Sequence, residues 1–220
     1  MRKIGPFITL FIILGLPLVI YLVLRTGTHV VKPLRTISQK IADPGGGPDS
    51  VYKAVGKFAL QSHTGATITQ DSFADHIWVA NVFKADCQDE CATLLQSVRD
   101  IQEYYTSSSD VRFLSVLLNA PGDTAVDLKA VARHYEAIDG KWHFAQGTPD
   151  SVAEFAHLEL DYGDALPDSG ATLKADYTLR LVDHYGLFRG AYYNVLEPKE
   201  VDSAISHIRL LQREFEQSRR

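Results

Sequence analysis

The sequence lacks the short motifs of two large enzyme classes. No Gly-x-Ser-x-Gly occurs, and no serine, histidine and aspartate stand in a context that predicts a hydrolase triad. The glycines at residues 45–47 follow no predicted strand and precede no predicted helix, so they do not form a phosphate-binding loop. Neither a serine hydrolase nor a phosphate-loop nucleotide-binding protein is therefore predicted.

Basic residues are scarce over most of the chain. The whole sequence has 22 Lys and Arg against 27 Asp and Glu, a formal net charge of −5. Six of the basic residues but only one acidic residue lie within residues 1–48, so the remainder is strongly acidic. This charge balance argues against nucleic acid as a partner. An acidic domain suits a cationic partner or a metal ion.

Long apolar stretches are absent except near the N-terminus. Residues 7–24 form an apolar run that follows Arg2 and Lys3 and is long enough to span a bilayer. No small-residue cleavage site ends the run, which favours an uncleaved transmembrane helix over a signal peptide. We therefore expect a single-pass protein of the inner (cytoplasmic) membrane. Basic residues lie on both sides of the run and orient it poorly, but a very short N-terminal tail and one following domain suit export, so we expect the soluble domain on the exported, periplasmic-type side.

Composition then divides the chain into three parts. Residues 1–25 are the predicted membrane anchor. Residues 26–50 are rich in proline and glycine without apolar periodicity, which is typical of a linker. Residues 51–220 have the length of one domain with a substantial core.

The only two cysteines, Cys87 and Cys91, stand between a predicted strand and a predicted helix. Residues 77–83 are β-branched, aromatic and apolar, as in a buried central strand. After Cys91, apolar residues recur every three or four positions to Tyr105, which predicts a helix. Backbone N–H groups and the positive end of that helix therefore lie beside the cysteine loop, where they lower the pKa of a thiol.

Acidic neighbours of the cysteines act in the opposite direction. Negative charge at Asp86, Asp89 and Glu90 disfavours a thiolate, so the net pKa shift stays open at this point. A disulfide across three intervening residues would constrain the unfolded chain little. A reversible redox or metal-binding pair is the favoured interpretation.

The remaining pattern predicts an α/β fold with a central mixed sheet flanked by helices. The expected elements are a hairpin of residues 57–60 and 66–69, a buried strand 111–118, a helix capped by Thr124 and ending near residue 137, a helix beginning near Pro149, a hairpin of residues 177–182 and 187–193, and a closing helix 201–215.

Five short segments in this order resemble the SCO/SenC family of membrane-anchored, thioredoxin-like copper proteins, over most of residues 51–215. They are Phe58-Ala-Leu60 with Gly65, the strand–CxxxC–helix segment from Phe83 to Leu94, Asn119 to Thr124 ending in Asp-Thr, Trp142-His-Phe144 with Gly147, and Leu181-Val-Asp183 with Gly186 and Arg189-Gly190. The resemblance implies a thioredoxin-like fold.

The resemblance also implies a copper site. In that family two cysteines and one distant histidine bind copper, and Cys87 and Cys91 match the two cysteines. The family's histidine lies eight residues before the Asp of Leu-Val-Asp, where this chain has Ala175. His184, in the predicted hairpin turn, is the nearest substitute, although an exposed turn histidine is the commoner interpretation. Two thiolates without imidazole suit Cu(I) better than Cu(II).

Three functions follow. The resemblance implies a metallochaperone that carries Cu(I) on Cys87 and Cys91 and assists copper-site assembly of a respiratory cytochrome oxidase, with an oxidase subunit or another copper or thiol protein as its partner. The alternative is an enzyme, a thiol–disulfide reductase in which Cys87 attacks and Cys91 resolves the mixed disulfide. The third possibility is a scaffold with a vestigial site.

Overall fold

The computed structural model describes residues 12, 13, 15–22, 33–42, 45, 50–84, 89–118, 126–160 and 177–219. The chain divides into two compact units, residues 1–32 and 33–220. In the first unit, residues 12, 13 and 15–22 are helical and their large apolar side chains are exposed. Within the described ranges, no helix combines the length and the apolar character needed to cross a membrane. The predicted anchor falls partly outside those ranges and stays a prediction.

The second unit is built on a seven-stranded mixed sheet with a separate two-stranded sheet. The strands are β1 (Lys40–Ala42), β2 (Ser50–Tyr52), β3 (Ala59–Ser62), β4 (Thr67–Thr69), β5 (Ile77–Lys84), β6 (Val111–Leu118), β7 (Trp142–Gln146), β8 (Thr178–Val182) and β9 (Phe188–Asn194). β1 pairs with β2, and the large sheet has the order β4-β3-β7-β6-β5-β8-β9. β5 and β7 run parallel to β6, whereas the other neighbouring strands are antiparallel.

Helices cover both faces of this sheet. They are α1 (Asp89–Tyr104), α2 (Leu128–His134), α3 (Pro149–Glu154), which continues as a π-helical turn (Phe155–Glu159), and α4 (Pro198–Ser218). Successive side chains of β5 point to opposite faces. Val79 and Phe83 therefore join the core beneath α1 and α4, while Trp78 and Val82 join the core beneath α3. Because both faces are covered, β5 is apolar at almost every position.

Most predicted elements are confirmed, with two corrections. β7 was not predicted as a strand, because neither of its partners in the sheet, β6 and β3, is joined to it by a short turn that would mark a hairpin. α2 begins at Leu128, and the carboxylate of Asp127 caps it by accepting from the backbone N–H groups of Lys129 and Ala130. Thr124, the predicted cap, lies outside the described residues.

Part of the predicted linker packs against the sheet. The backbone N–H of Ile37 donates to the carbonyl of Phe188 at 2.9 Å, and Thr36 forms a β-bridge with Arg189. The Ser38 hydroxyl accepts from the Phe188 N–H at 2.8 Å. This segment therefore covers the edge strand β9, whose backbone groups would otherwise be open to another chain.

Candidate functional site

The parallel strands β5, β6 and β7 all end at one edge of the sheet, at Lys84, Leu118 and Gln146. In open α/β sheets this is the edge where ligands bind. The cysteine loop follows β5 directly. Cys87 lies outside the described residues, and the described chain resumes at Asp89, where α1 begins.

Cys91 lies in the first turn of α1, on the face that packs against the sheet. It is only 3 % exposed and belongs to the same apolar cluster as Phe83 and Leu94. Its sulfur is in a disulfide, and the chain has only one other cysteine, Cys87. A buried cysteine at a helix N-terminus combines restricted solvent access with the positive end of the helix dipole.

Two carboxylates share this first turn with Cys91. Asp89 and Glu90 are both exposed, on the side of α1 that faces away from the core. Their charge stabilises the helix by compensating the positive end of its dipole. The same charge disfavours a thiolate at Cys91. After reduction of the disulfide, the carboxylates and the helix dipole therefore act on this thiol in opposite directions.

Strand β8 begins at the same edge as the cysteine loop. Trp78 pairs with Val182 and Ala80 pairs with Arg180, so Tyr177, immediately before β8, lies beside the end of β5. Tyr177 has a φ of 50°, in the left-handed region that few non-glycine residues adopt. Its carbonyl accepts from the Val195 N–H at 3.0 Å, which holds it there. Ala175, at the position of the family's histidine, lies outside the described residues.

His184 lies at the opposite end of the sheet from Cys91. It follows Val182, which pairs with Trp78 near the beginning of β5, whereas Cys91 follows the end of that strand. An eight-residue strand is about 23 Å long. The structure therefore does not bring His184 to Cys91, and no imidazole nitrogen can bridge such a distance to a metal held by the cysteines.

The surroundings of His184 are those of a packed side chain and not those of a metal ligand. Its ring lies 3.9 Å from the ring centroid of Tyr185 and 4.1 Å from that of Phe215. Both ring nitrogens are buried without a hydrogen-bond partner, and this burial lowers the pKa of His184, although Asp183 acts in the opposite direction. The ring is therefore partly covered by aromatic side chains and not freely exposed in the turn.

No further metal-binding cluster appears in the ranges that the structure describes. Within them, no three His, Cys, Asp or Glu side chains are grouped so that they would hold a metal ion. Cys91 is thus the one described member of the predicted ligand set at the C-terminal edge of β5.

An open groove beside α1, with a volume of about 650 Å³, was not predicted from the sequence. Residues of α1, the end of α2 and the beginning of α4 line it, together with Tyr135, which follows α2, and Val195, which follows β9. No local motif marks these residues, because elements far apart in the chain contribute them. Only the tertiary packing brings them together beside the cysteine helix.

Comparison with known proteins gives a family match over most of the chain. The model of the family described as SCO1/SenC matches residues 47–209. A curated relative, the SCO1 protein homolog of Bacillus subtilis (strain 168), is 26 % identical over 120 residues, which is 54 % of this chain. The match spans 59 % of the length of that relative.

Solved structures show the same fold. A SCO1/SenC family lipoprotein from Bacillus anthracis superposes with a TM-score of 0.61 at 17 % identity, over 72 % of this chain and 95 % of that one. ScoI of Arabidopsis thaliana, solved with copper bound, gives 0.55 at 16 % identity, over 71 % of this chain and 99 % of that one. At such identities the likeness establishes the fold alone, and the predicted thioredoxin-like architecture is confirmed.

Proposed function

This chain belongs to the SCO1/SenC family, and from that premise we propose that it binds Cu(I) through Cys87 and Cys91 and assists copper-site assembly of a respiratory cytochrome oxidase. One observation carries the proposal. The sulfur of Cys91 is already bonded to another sulfur, in the first turn of the helix that follows β5. Reduction of such a disulfide leaves two neighbouring thiolates, which are the soft donors that Cu(I) accepts.

Copper is the cargo in this proposal, and the donor set selects its oxidation state. Cu(II) prefers nitrogen and oxygen ligands in a tetragonal arrangement, while Cu(I) accepts few ligands. His184 is at the far end of the sheet, so it adds no imidazole to the pair. The copper-bound Arabidopsis relative supports copper as the metal, and the two thiolates favour Cu(I).

Delivery would proceed by ligand exchange with thiols of the partner. Each partner thiolate forms a bond to Cu(I) as one Cu–S bond of this chain breaks, so copper never leaves the sulfur ligands and keeps its oxidation state. The released thiolates take up protons from solvent. Cys91 is buried within the first turn of α1. The exchange is therefore proposed to begin at Cys87, which comes earlier in the loop.

We further propose that the N-terminal segment anchors the domain in a membrane, with the domain on the exported side. The exposed apolar side chains at residues 12, 13, 16 and 18–22 are consistent with a lipid environment, and the Bacillus anthracis relative is described as a lipoprotein. Extraction of membranes at alkaline pH tests this anchor: an integral protein stays with the lipid. Release of the full-length chain into the supernatant would contradict the proposal.

A Cu(I) titration of the reduced full-length chain against a competing chelator tests copper binding. We expect one tightly bound Cu(I), lost in Cys87→Ser and in Cys91→Ser. His184→Ala is the matched control, because it removes a histidine from the other end of the sheet and should leave the affinity unchanged. Binding that survives loss of both cysteines would overturn the proposed site. Normal oxidase activity in a copper-limited deletion strain would overturn the assembly role.

Thiol–disulfide exchange is the second candidate, and the disulfide at Cys91 favours it. In the reduced protein, a thiolate at Cys87 would attack a partner disulfide and displace one partner thiol. Cys91 would then displace the other, so that two electrons pass to the partner and the internal disulfide forms again. A Cys91→Ser variant should trap the mixed disulfide with the partner. Efficient trapping together with no competitive Cu(I) binding would place this function first.

A further inference from the structure

The side-chain hydrogen bonds from helix α1 to neighbouring elements, among the described residues, lie along its C-terminal half. Beyond that half, the Tyr105 hydroxyl donates to the carbonyl of Ile205 on α4 at 2.6 Å. On the other side, the Gln102 amide oxygen accepts from the N–H of Ile138 at 2.9 Å. Within the described residues, the side chains of residues 92–98 on α1 form no hydrogen bond to α2 or α4, and the groove opens between these helices.

The floor of this groove is apolar and partly aromatic. Val195 is buried, while Tyr135 and Val201 are half-buried. Burial also raises the pKa of the Tyr135 hydroxyl above its usual value. On the α1 side, the groove is lined by Ala92 and Thr93, the two residues that directly follow Cys91. A segment lying in the groove would therefore be next to the helix turn that carries the cysteine.

The rim of the groove is acidic. Among the residues that the structure describes, its lining includes the carboxylates of Asp100 on α1 and Asp202 on α4, together with His134, but neither lysine nor arginine. The exposed Asp89 and Glu90 extend this negative charge to the cysteine end of α1. Arg99, on the same helix, is already paired with Glu136, whose Oε2 accepts from its Nε at 3.1 Å and its Nη2 at 2.5 Å.

The first turn of α4 also has more negative than positive charge. Glu197 and Glu200 flank Lys199, which is the only basic residue in that turn. An acidic rim around an apolar floor attracts a positively charged segment over a distance and then retains it by burying an apolar side chain. The charge that repels an acidic segment also supplies selectivity.

We propose that the groove between α1, α2 and α4 binds a lysine- or arginine-flanked apolar segment of the protein that exchanges copper or electrons with Cys87 and Cys91. The proposal rests on the proposed function and specifies the partner: it presents its thiols beside a basic segment. Docking in the groove holds those thiols near the cysteine loop, which converts an encounter in solution into a local exchange.

The probe is a fluorescent synthetic peptide in which leucine and tyrosine alternate with lysine and no cysteine is present. Its matched control carries glutamate in place of every lysine. Both are titrated into the oxidised full-length chain, so that binding depends on neither copper nor a free thiol. The basic peptide should bind and lose affinity as salt is added, whereas the acidic peptide should not bind.

Paired variants assign the binding to the groove. Asp100→Asn with Asp202→Asn should weaken binding of the basic peptide by about fivefold. Asp71→Asn with Glu216→Gln removes the same charge from exposed sites outside the groove and should have no effect. Gln96→Trp, which fills the groove, should abolish binding, while Glu103→Trp on the same helix outside the groove should not.

Three outcomes would overturn the proposal: equal binding of the two peptides, equal effects of the two double variants, or concentration-dependent self-association through the groove without peptide. The last result would identify a second copy of this chain as the occupant. Since the assay uses oxidised protein, failure of Cu(I) binding and failure of groove binding are seen separately. A groove that fails while the titration succeeds leaves the copper proposal intact.

Discussion

Arg189 and Asp183 form a buried ion pair in the β8–β9 hairpin, with 2.7 Å between Nη1 and Oδ2. Asp183 is 1 % exposed, and its other carboxylate oxygen accepts from the N–H groups of Tyr185 and Leu187. Arg189 also donates to Glu214 on α4 at 2.6 Å and to the carbonyl of Leu34 at 2.7 Å. One guanidinium therefore joins the hairpin, the closing helix and the N-terminal segment of the domain.

Replacing Arg189 by Gln should lower the free energy of unfolding by about 3 kcal/mol, because it leaves the Asp183 carboxylate buried without its cation. Urea unfolding of the full-length chain measures this. Arg99→Gln is the control, since the Arg99–Glu136 pair lies at the surface, where solvent screens the interaction, and its loss should change the free energy of unfolding much less. Similar losses in the two variants would show that the buried pair has no special weight.

His184 should make stability depend on pH. Burial lowers its pKa in the folded protein below the unfolded value of about 6.5. Between the two values the unfolded chain binds more protons, so the contribution is complete above about pH 6.5 and is lost as the pH falls toward the folded pKa. The free energy of unfolding, measured above and below about pH 6.5, should therefore fall less steeply in His184→Gln than in the wild type.

Phe215→Ala provides the control for this pH dependence. It uncovers the His184 ring and should also flatten the profile while keeping the histidine. An unchanged slope in both variants would rule out His184 as its source.

Three buried polar groups form a chain within the core beneath α1. The Trp142 indole N–H donates to the Ser115 hydroxyl at 2.9 Å, and that hydroxyl donates to the Asn81 side-chain oxygen at 2.6 Å. Ser115→Ala removes the middle partner and leaves the other two unsatisfied, which should cost about 2 kcal/mol. Thermal unfolding measures the loss. Ser151→Ala, at the exposed start of α3, should cost less, and an equal loss would contradict the buried network.

Two glycines with left-handed φ allow the cost of backbone strain to be compared with the cost of a side-chain collision. Gly190 has a φ of 80°, and an added Cβ would collide with the Tyr193 hydroxyl. Gly65 has a φ of 86°, but an added Cβ there meets open space. Gly65→Ala should therefore cost only the conformational penalty, about 1 kcal/mol. Gly190→Ala should cost at least about 1 kcal/mol more, because Tyr193 must move.

Urea unfolding compares the two glycine variants directly. Equal losses in the free energy of unfolding would show that Tyr193 moves aside without an energetic penalty.

Local patterns predicted the elements whose residues carry a clear signal. Continuous apolar runs identified β5 and β6, and period-3.6 spacing identified α1 and α4, because both faces of the sheet and one face of each helix are buried. β7 was not predicted because it forms no hairpin with a strand next to it in the sequence. Its partners, β6 and β3, both lie far from it along the chain.

The candidate site divides in the same way. The position of the two cysteines, after a buried strand and at the start of a helix, follows from neighbouring residues and was predictable from the sequence. The distance of His184 from them was not predictable, since strand register sets which end of the sheet a hairpin turn occupies. The acidic groove was likewise not predictable from the sequence, because its residues become neighbours only when α1, α2 and α4 pack on the same face of the sheet.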